Sequence, residues 1–232
     1  MRLRIAMVYK STMEISRLSA DSAGALCVRP PVQKRGLRTH DRFMSAATQL
    51  ARTKDFDDIS IRELSDAAGC SIGSFYHRFG SKDVLFAALI YNMLEKRREG
   101  VDRTFAETAT ADLPEAMARG ALANYREHAG LLRTAMRYHL AGKDIWKPII
   151  AFGRYVSGRY FERLAAERQT PLSRDEISRL EFVFLWLHGH LTTSLAHAYS
   201  GTDLSEKQFE DETALYFVLA INHALHRSSV EG

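Results

Sequence analysis

Tyr76, His77 and Arg78 place a phenol, an imidazole and a guanidinium in a row, shortly after Gly73 and just ahead of Ser81 and Lys82. Together they offer hydrogen-bond donors, positive charge and flat ring faces. These are the groups that meet phosphate oxygens and base edges on a nucleic acid. Other chemistries find less support. No HExxH, GxSxG or phosphate-cradling glycine loop occurs in the chain. His188, His190 and His197 share one predicted helix. At ~3.6 residues per turn, however, His188 and His190 diverge by about 200°, so they form no same-face metal pair. The expectation is a protein that is not an enzyme and carries neither metal nor cofactor.

The opening segment needs a rigid support, and the flanking sequence supplies one. Phe43, Ala46, Ala47, Leu50 and Ala51 recur at helical spacing from Thr39 onward and predict a first helix. "SIRE", residues 60 to 63, is a capping box that starts a second helix burying Ile61, Leu64 and Ala68, and Gly69 ends it as a left-handed cap. Ser71 caps a third helix anchored by Ile72, Phe75 and Phe79, and Ser81 caps a fourth. With Phe75 and Phe79 inward, Gly73, Tyr76 and His77 point outward, Ser74 and Arg78 flank the apolar stripe, and Gly73 lets a partner backbone approach closely. Two short helices joined by a tight glycine turn form a helix-turn-helix, here about residues 60–79.

Downstream the pattern is helical throughout. Breaks are expected near Leu113-Pro114, Gly130, Gly142-Lys143, Thr170-Pro171 and Gly201 to Asp203, and "SRDE" at 173 and "SEKQ" at 205 are further capping-box candidates. No period-two strand is sustained after Thr39, so the expected fold is all-α. Ahead of it, residues 1–37 form a basic arm with Pro30 and Pro31, expected to be disordered, in which the run from Lys34 to Arg38 is the candidate functional part.

From Arg38 to Leu85 the chain resembles the TetR family of transcriptional regulators. Ser60, Ile61, Arg62, Leu64, Ala68, Gly69, Ser71, Gly73, Tyr76, Phe79, Lys82 and Leu85 stand at that family's pattern positions. The resemblance implies a DNA-binding domain at 38–84 and a helical effector-binding and dimerisation domain at 85–232. It implies DNA contacts from Arg62, Ser71, Gly73, Ser74, Tyr76, His77 and Lys82. Arg38 and Arg78 join that set as basic groups beside it, and Ser60 as a cap with a phosphate contact as a second role. The chain departs from the pattern at Asp55, where the family commonly has glycine and where Asp tolerates left-handed geometry better than most residues. It departs again at Arg78, which replaces the usual His and leaves either His77 or Arg78 to take the phosphate.

The helix after Ser173 is apolar nearly all round, with Phe182, Val183, Leu185 and Trp186 opposite Leu180, Phe184, Leu187 and Leu191. Such a helix must be covered on both sides. The second cover is expected to be another copy of the chain, with Phe182, Trp186, Gly189, Thr193, Tyr216, Leu219 and His223 at a homodimer interface. Met117, Tyr125, Met136, His139, Phe152, Tyr155, Phe184 and His188 are candidate lining for a small apolar or aromatic effector, with ordinary core packing as the plainer role for each.

Bulk properties constrain the rest. With 46% hydrophobic and 26% charged residues the chain is globular, and a net charge of +4 is too small to name a partner by itself. Cys27 and Cys70 form no CxxC pair, which fits a reducing compartment. No apolar run approaches the ~20 residues of a membrane span, and the opening "MRLRIAMVYK" lacks a signal-peptide core. The expected partners are therefore a double-stranded DNA operator, a small effector and a second subunit, all met in the cytoplasm. The alternative is an all-helical small-molecule binder or enzyme whose DNA-binding module is vestigial.

Overall fold

A computed structural model describes residues 34–196 and 207–226. Among these the chain forms nine α-helices, two short 3-10 turns and no strand, as the sequence pattern predicts. We number them α1 (Lys34–Leu50), α2 (Ile61–Ala68), α3 (Ile72–Phe79), α4 (Lys82–Glu107), α5 (Leu113–Glu127), α6 (Ala129–Leu140), α7 (Lys147–Arg168), α8 (Arg174–Ala196) and α9 (Lys207–His226), with 3-10 turns at Phe56–Asp58 and Asp144–Trp146. Residues 1–33 of the basic arm, and Gly201 to Asp203 and Ser205 of the proposed break and cap, lie outside the described residues.

The described residues separate into two compact units, 34–96 with 127–150, and 97–126 with 151–196 and 207–226. Helix α4 runs unbroken through residues of both. Two expected breaks fall beside the residues that signal them, between Glu107 and Leu113 and between Glu127 and Ala129. Gly130 lies inside α6 rather than between helices, and Leu113-Pro114 opens α5, where a proline is tolerated because first-turn amides have no intrahelical acceptor.

In the first unit Phe43 of α1 meets Phe75 edge-on at 5.5 Å and Phe79 at 5.9 Å. All three rings are buried, as are Leu64, Ser65 and Ala68 of α2. Ile72 does not share this anchoring role. It is 45% exposed, because the first residue of α3 lies beyond the reach of the phenyl cluster.

Helix α6 belongs to this unit as well. A Cβ at Gly130 would stand 2.2 Å from the carbonyl oxygen of Lys54 and 2.5 Å from that of Ala51, so the α6 backbone presses directly on the end of α1. One turn on, the Arg133 Nε and Arg137 Nη1 donate to the two oxygens of Asp55 at 2.6 and 2.5 Å. The Tyr138 hydroxyl donates to Asp57 at 2.7 Å, and Asp83 accepts from Lys143 at 3.1 Å. Asp55 thus has no left-handed turn to accommodate: its φ is −66°. Its carboxylate is what the position uses.

In the second unit α8 packs on α9. Leu180, Val183, Leu187, Leu191 and Leu195 of α8 are buried, as are Phe209, Phe217 and Ile221 of α9. "SRDE" is a working cap: Ser173 Oγ accepts from the Glu176 amide, and the Glu176 carboxylate accepts from the Ser173 amide at 2.7 Å.

Candidate nucleic-acid interface

The turn that presents α3 is built from short-range hydrogen bonds. At the start of α2 the Ser60 hydroxyl accepts from the Glu63 amide at 3.1 Å, and the Glu63 carboxylate accepts from the Ser60 amide at 2.7 Å. A hydrogen bond from Lys54, followed by those with Ser60, holds the Glu63 carboxyl down at about 2. Gly69 closes α2 with φ 55°, a conformation that costs a Cβ-bearing residue strain. The Ser71 hydroxyl then accepts from the Ser74 amide at 3.1 Å, and α3 begins.

Phe75 and Phe79 point inward from α3 and leave Ser71, Gly73, Tyr76 and His77 in solvent, with Tyr76 52% exposed. Arg38, Ser60 and Arg62 are exposed too, and Arg62 makes no ion pair with Asp66. Ser74 is half-buried, its hydroxyl 2.9 Å from that of Ser71.

Two basic groups are partly committed inside the unit. The Arg78 Nε donates to His40 Nδ1 at 3.4 Å, and the His40 ring stacks on Phe79. Burial, and then the charge of Arg78, lower the His40 pKa, so His40 accepts as a neutral imidazole. Arg78 therefore braces α3 against α1, while His77 is the freer of the adjacent pair. Lys82, half-buried at the head of α4, donates to the backbone oxygen of Asp57 at 2.7 Å and lies 5.0 Å over the Phe56 ring. Burial pushes its pKa down. Sequence alone does not show either contact, since each joins residues far apart in the chain.

The effector candidates fall in both units. In the second, Met117, Tyr125 and Tyr155 are buried, and Phe152, Phe184 and His188 half-buried. The Tyr125 hydroxyl stands 2.9 Å from His188 Nδ1 and 3.4 Å from Thr192 Oγ1. Burial raises the Tyr125 pKa and lowers that of His188. Met136 and His139 lie in the first unit, where exposed His139 stacks on Trp146. The proposed interface residues Phe182, Trp186, Gly189, Thr193, Tyr216, Leu219 and His223 are all exposed on α8 and α9. Phe182 is 69% exposed, and Leu185 and Leu215 add to the same two helices.

An all-helical chain with a short helix clamped by two phenyl rings and open on its Gly-Tyr-His side is a helix-turn-helix protein. Residues 43–89 match the model for bacterial regulatory proteins of the tetR family. The transcriptional regulator EthR of Mycolicibacterium smegmatis is 28% identical over 146 residues, covering 60% of this chain and 65% of that protein, just under two thirds of its length. Among solved structures, a TetR-family regulator from Mesorhizobium loti has a TM-score of 0.65 at 18% identity, covering 83% of this chain and 98% of that one. GusR of Salmonella enterica has a TM-score of 0.57 at 16% identity, covering 82% and 98%. The chain thus carries a tetR-family domain at residues 43–89. Among the described residues no helix is long and apolar enough to cross a membrane.

Proposed function

We propose that the protein is a sequence-specific, double-stranded-DNA-binding transcriptional regulator. It acts as a homodimeric repressor in the cytoplasm and leaves a palindromic operator when a small apolar or aromatic effector binds the second unit. The observation that carries this reading is the outer side of α3, where Gly73, Tyr76 and His77 are exposed while Phe75 and Phe79 fix the helix from behind. Ser71, Ser74 and Arg62 extend the polar surface, and Lys82 supplies positive charge at the next helix start. Division of labour follows 38–84 for DNA and 85–232 for effector and partner.

A two-fold dimer offers two copies of α3 to one duplex, so the half-sites lie about 34 to 36 Å apart or somewhat more. An effector that changes the bearing of α4 alters that spacing. Coupling of about 1 to 3 kcal/mol then changes DNA affinity roughly 5- to 150-fold.

Selection of bound fragments from the native genome supplies the operator, and gel shift against random duplex measures the preference. Specific binding should exceed non-specific binding by about 10³ or more. Tyr76→Ala should lose roughly tenfold or more in operator affinity, the scale of one base or phosphate contact, with far-ultraviolet circular dichroism unchanged. Undiminished binding by Tyr76→Ala removes α3 as the reading helix.

A further inference from the structure

Arg97, on α4 in the second unit, folds its guanidinium onto α5 at the one place where that helix has no side chain. A Cβ at Gly120 would stand 2.6 Å from Arg97 Nη2 and 3.2 Å from Nη1. Burial alone acts on this group and pushes its pKa down, and among the described residues no carboxylate lies within ion-pair reach of it. The unit's neighbouring acids serve other cations. Asp102 accepts from Tyr155 and Arg159, Glu115 and Asp211 pair with Arg119, and Glu210 pairs with Arg119 and Arg126.

One turn along α4 from Arg97, Val101 is buried, and one turn before Gly120 on α5, Met117 is buried. Partial burial penalises the charge of the half-buried Arg97, and among the described residues no carboxylate offsets that penalty. A planar fork of N–H donors in a weakly solvated setting is also the side chain best suited to grip a carboxylate through two hydrogen bonds.

We propose that Arg97, seated at Gly120, anchors the acidic group of the effector, which makes that effector a small carboxylic acid with an apolar or aromatic body. This deepens the reading above, and the word effector rests on it. A side chain at position 120 would displace the fork from this seat. The proposal also sharpens the sequence-based expectation of a small apolar or aromatic effector into one that carries a single negative charge.

The experiment uses the full chain and matched probes: benzoate, phenylacetate and octanoate, each against its neutral amide, by calorimetry and thermal shift. At least one acid is expected to bind and raise Tm where its amide does not. Arg97→Met should weaken that acid by about tenfold or more and leave the amide unchanged, since it deletes two charge-assisted hydrogen bonds. Gly120→Ala keeps the charge but takes its seat, and should weaken the same acid. It also serves as the folded second variant if Arg97→Met is poorly behaved. Equal response to acids and amides, or full acid affinity in both variants, overturns the proposal. Operator gel shifts run in parallel separate the two readings: intact operator binding without acid discrimination sinks this inference alone, and acid binding without any operator sinks the regulator.

Discussion

Asp55 shows how much one carboxylate does in the first unit. It ties the turn after α1 to α6 through two arginines, and its side chain is 14% exposed against 35% for Arg133 and 46% for Arg137. Burial alone would raise its carboxyl, but the hydrogen bonds from Arg137 and Arg133 outweigh this and hold it below the ordinary 3.8. Asp55→Ala should therefore destabilise the protein by about 1 to 3 kcal/mol at pH 7 in urea unfolding, the range for hydrogen bonds to charged groups, with the exposed arginines favouring the lower end. The sign of the pH dependence follows from the depressed value. The contribution is complete above the unfolded 3.8 and is lost as pH falls through the lower folded value, so wild type and variant should differ equally at pH 7 and pH 5 and converge below pH 4. A gap that stays open at low pH would mean that packing, and not the ion pairs, is what Asp55 supplies.

At the scale of elements, the α1–α6 contact is decided by a missing side chain. Gly130→Ala would drive a methyl into two backbone oxygens that no rotamer change can move aside, at 2.2 and 2.5 Å. The expected loss is about 1 to 3 kcal/mol or more, read as a fall in Tm. Gly100→Ala, in the middle of α4 with nothing within 4 Å of the new methyl, should go the other way by roughly 0.5 to 1 kcal/mol of helix propensity. If both variants melt alike, the close approach of α6 is not constraining. This contrast also marks what a sequence can disclose. The caps at Ser60, Ser71 and Ser173 are written within four residues each, and the Phe75–Phe79 stripe follows helical period, so all of these were legible. Residues of α6 packing against the end of α1, Arg78 bracing His40, and Lys82 bonding to the Asp57 backbone were not. Each depends on a contact between distant segments, for which neither spacing nor residue type gives a local sign. Asp55 follows the same rule: its residue type suggests a backbone role, whereas the fold uses its charge, through arginines about 80 residues away.

For the whole molecule the question is what covers α8 and α9. Phe182, Leu185, Trp186, Leu215, Tyr216 and Leu219 are all exposed on these two helices, from 38% at Trp186 to 69% at Phe182. Large apolar groups grouped on two packed helices point to association, whereas isolated ones are ordinary surface. A second copy of the same chain presents the same two helices, which a two-fold contact can pair with one another. Phe182→Asp should then yield a monomer in sedimentation at micromolar concentration, because a carboxylate would have to lose its water in an apolar seam. Tyr91→Asp is the matched control: Tyr91 is also large and 46% exposed, but it lies on α4 in the first unit, and its replacement should leave the mass unchanged. The monomeric variant should still bind a half-site, only weakly, since joining two reading heads multiplies affinity without adding a contact to either. Should Phe182→Asp sediment as a dimer while Tyr91→Asp does not, the subunits meet through α4 and the two-headed reading of the operator must be rebuilt around that helix.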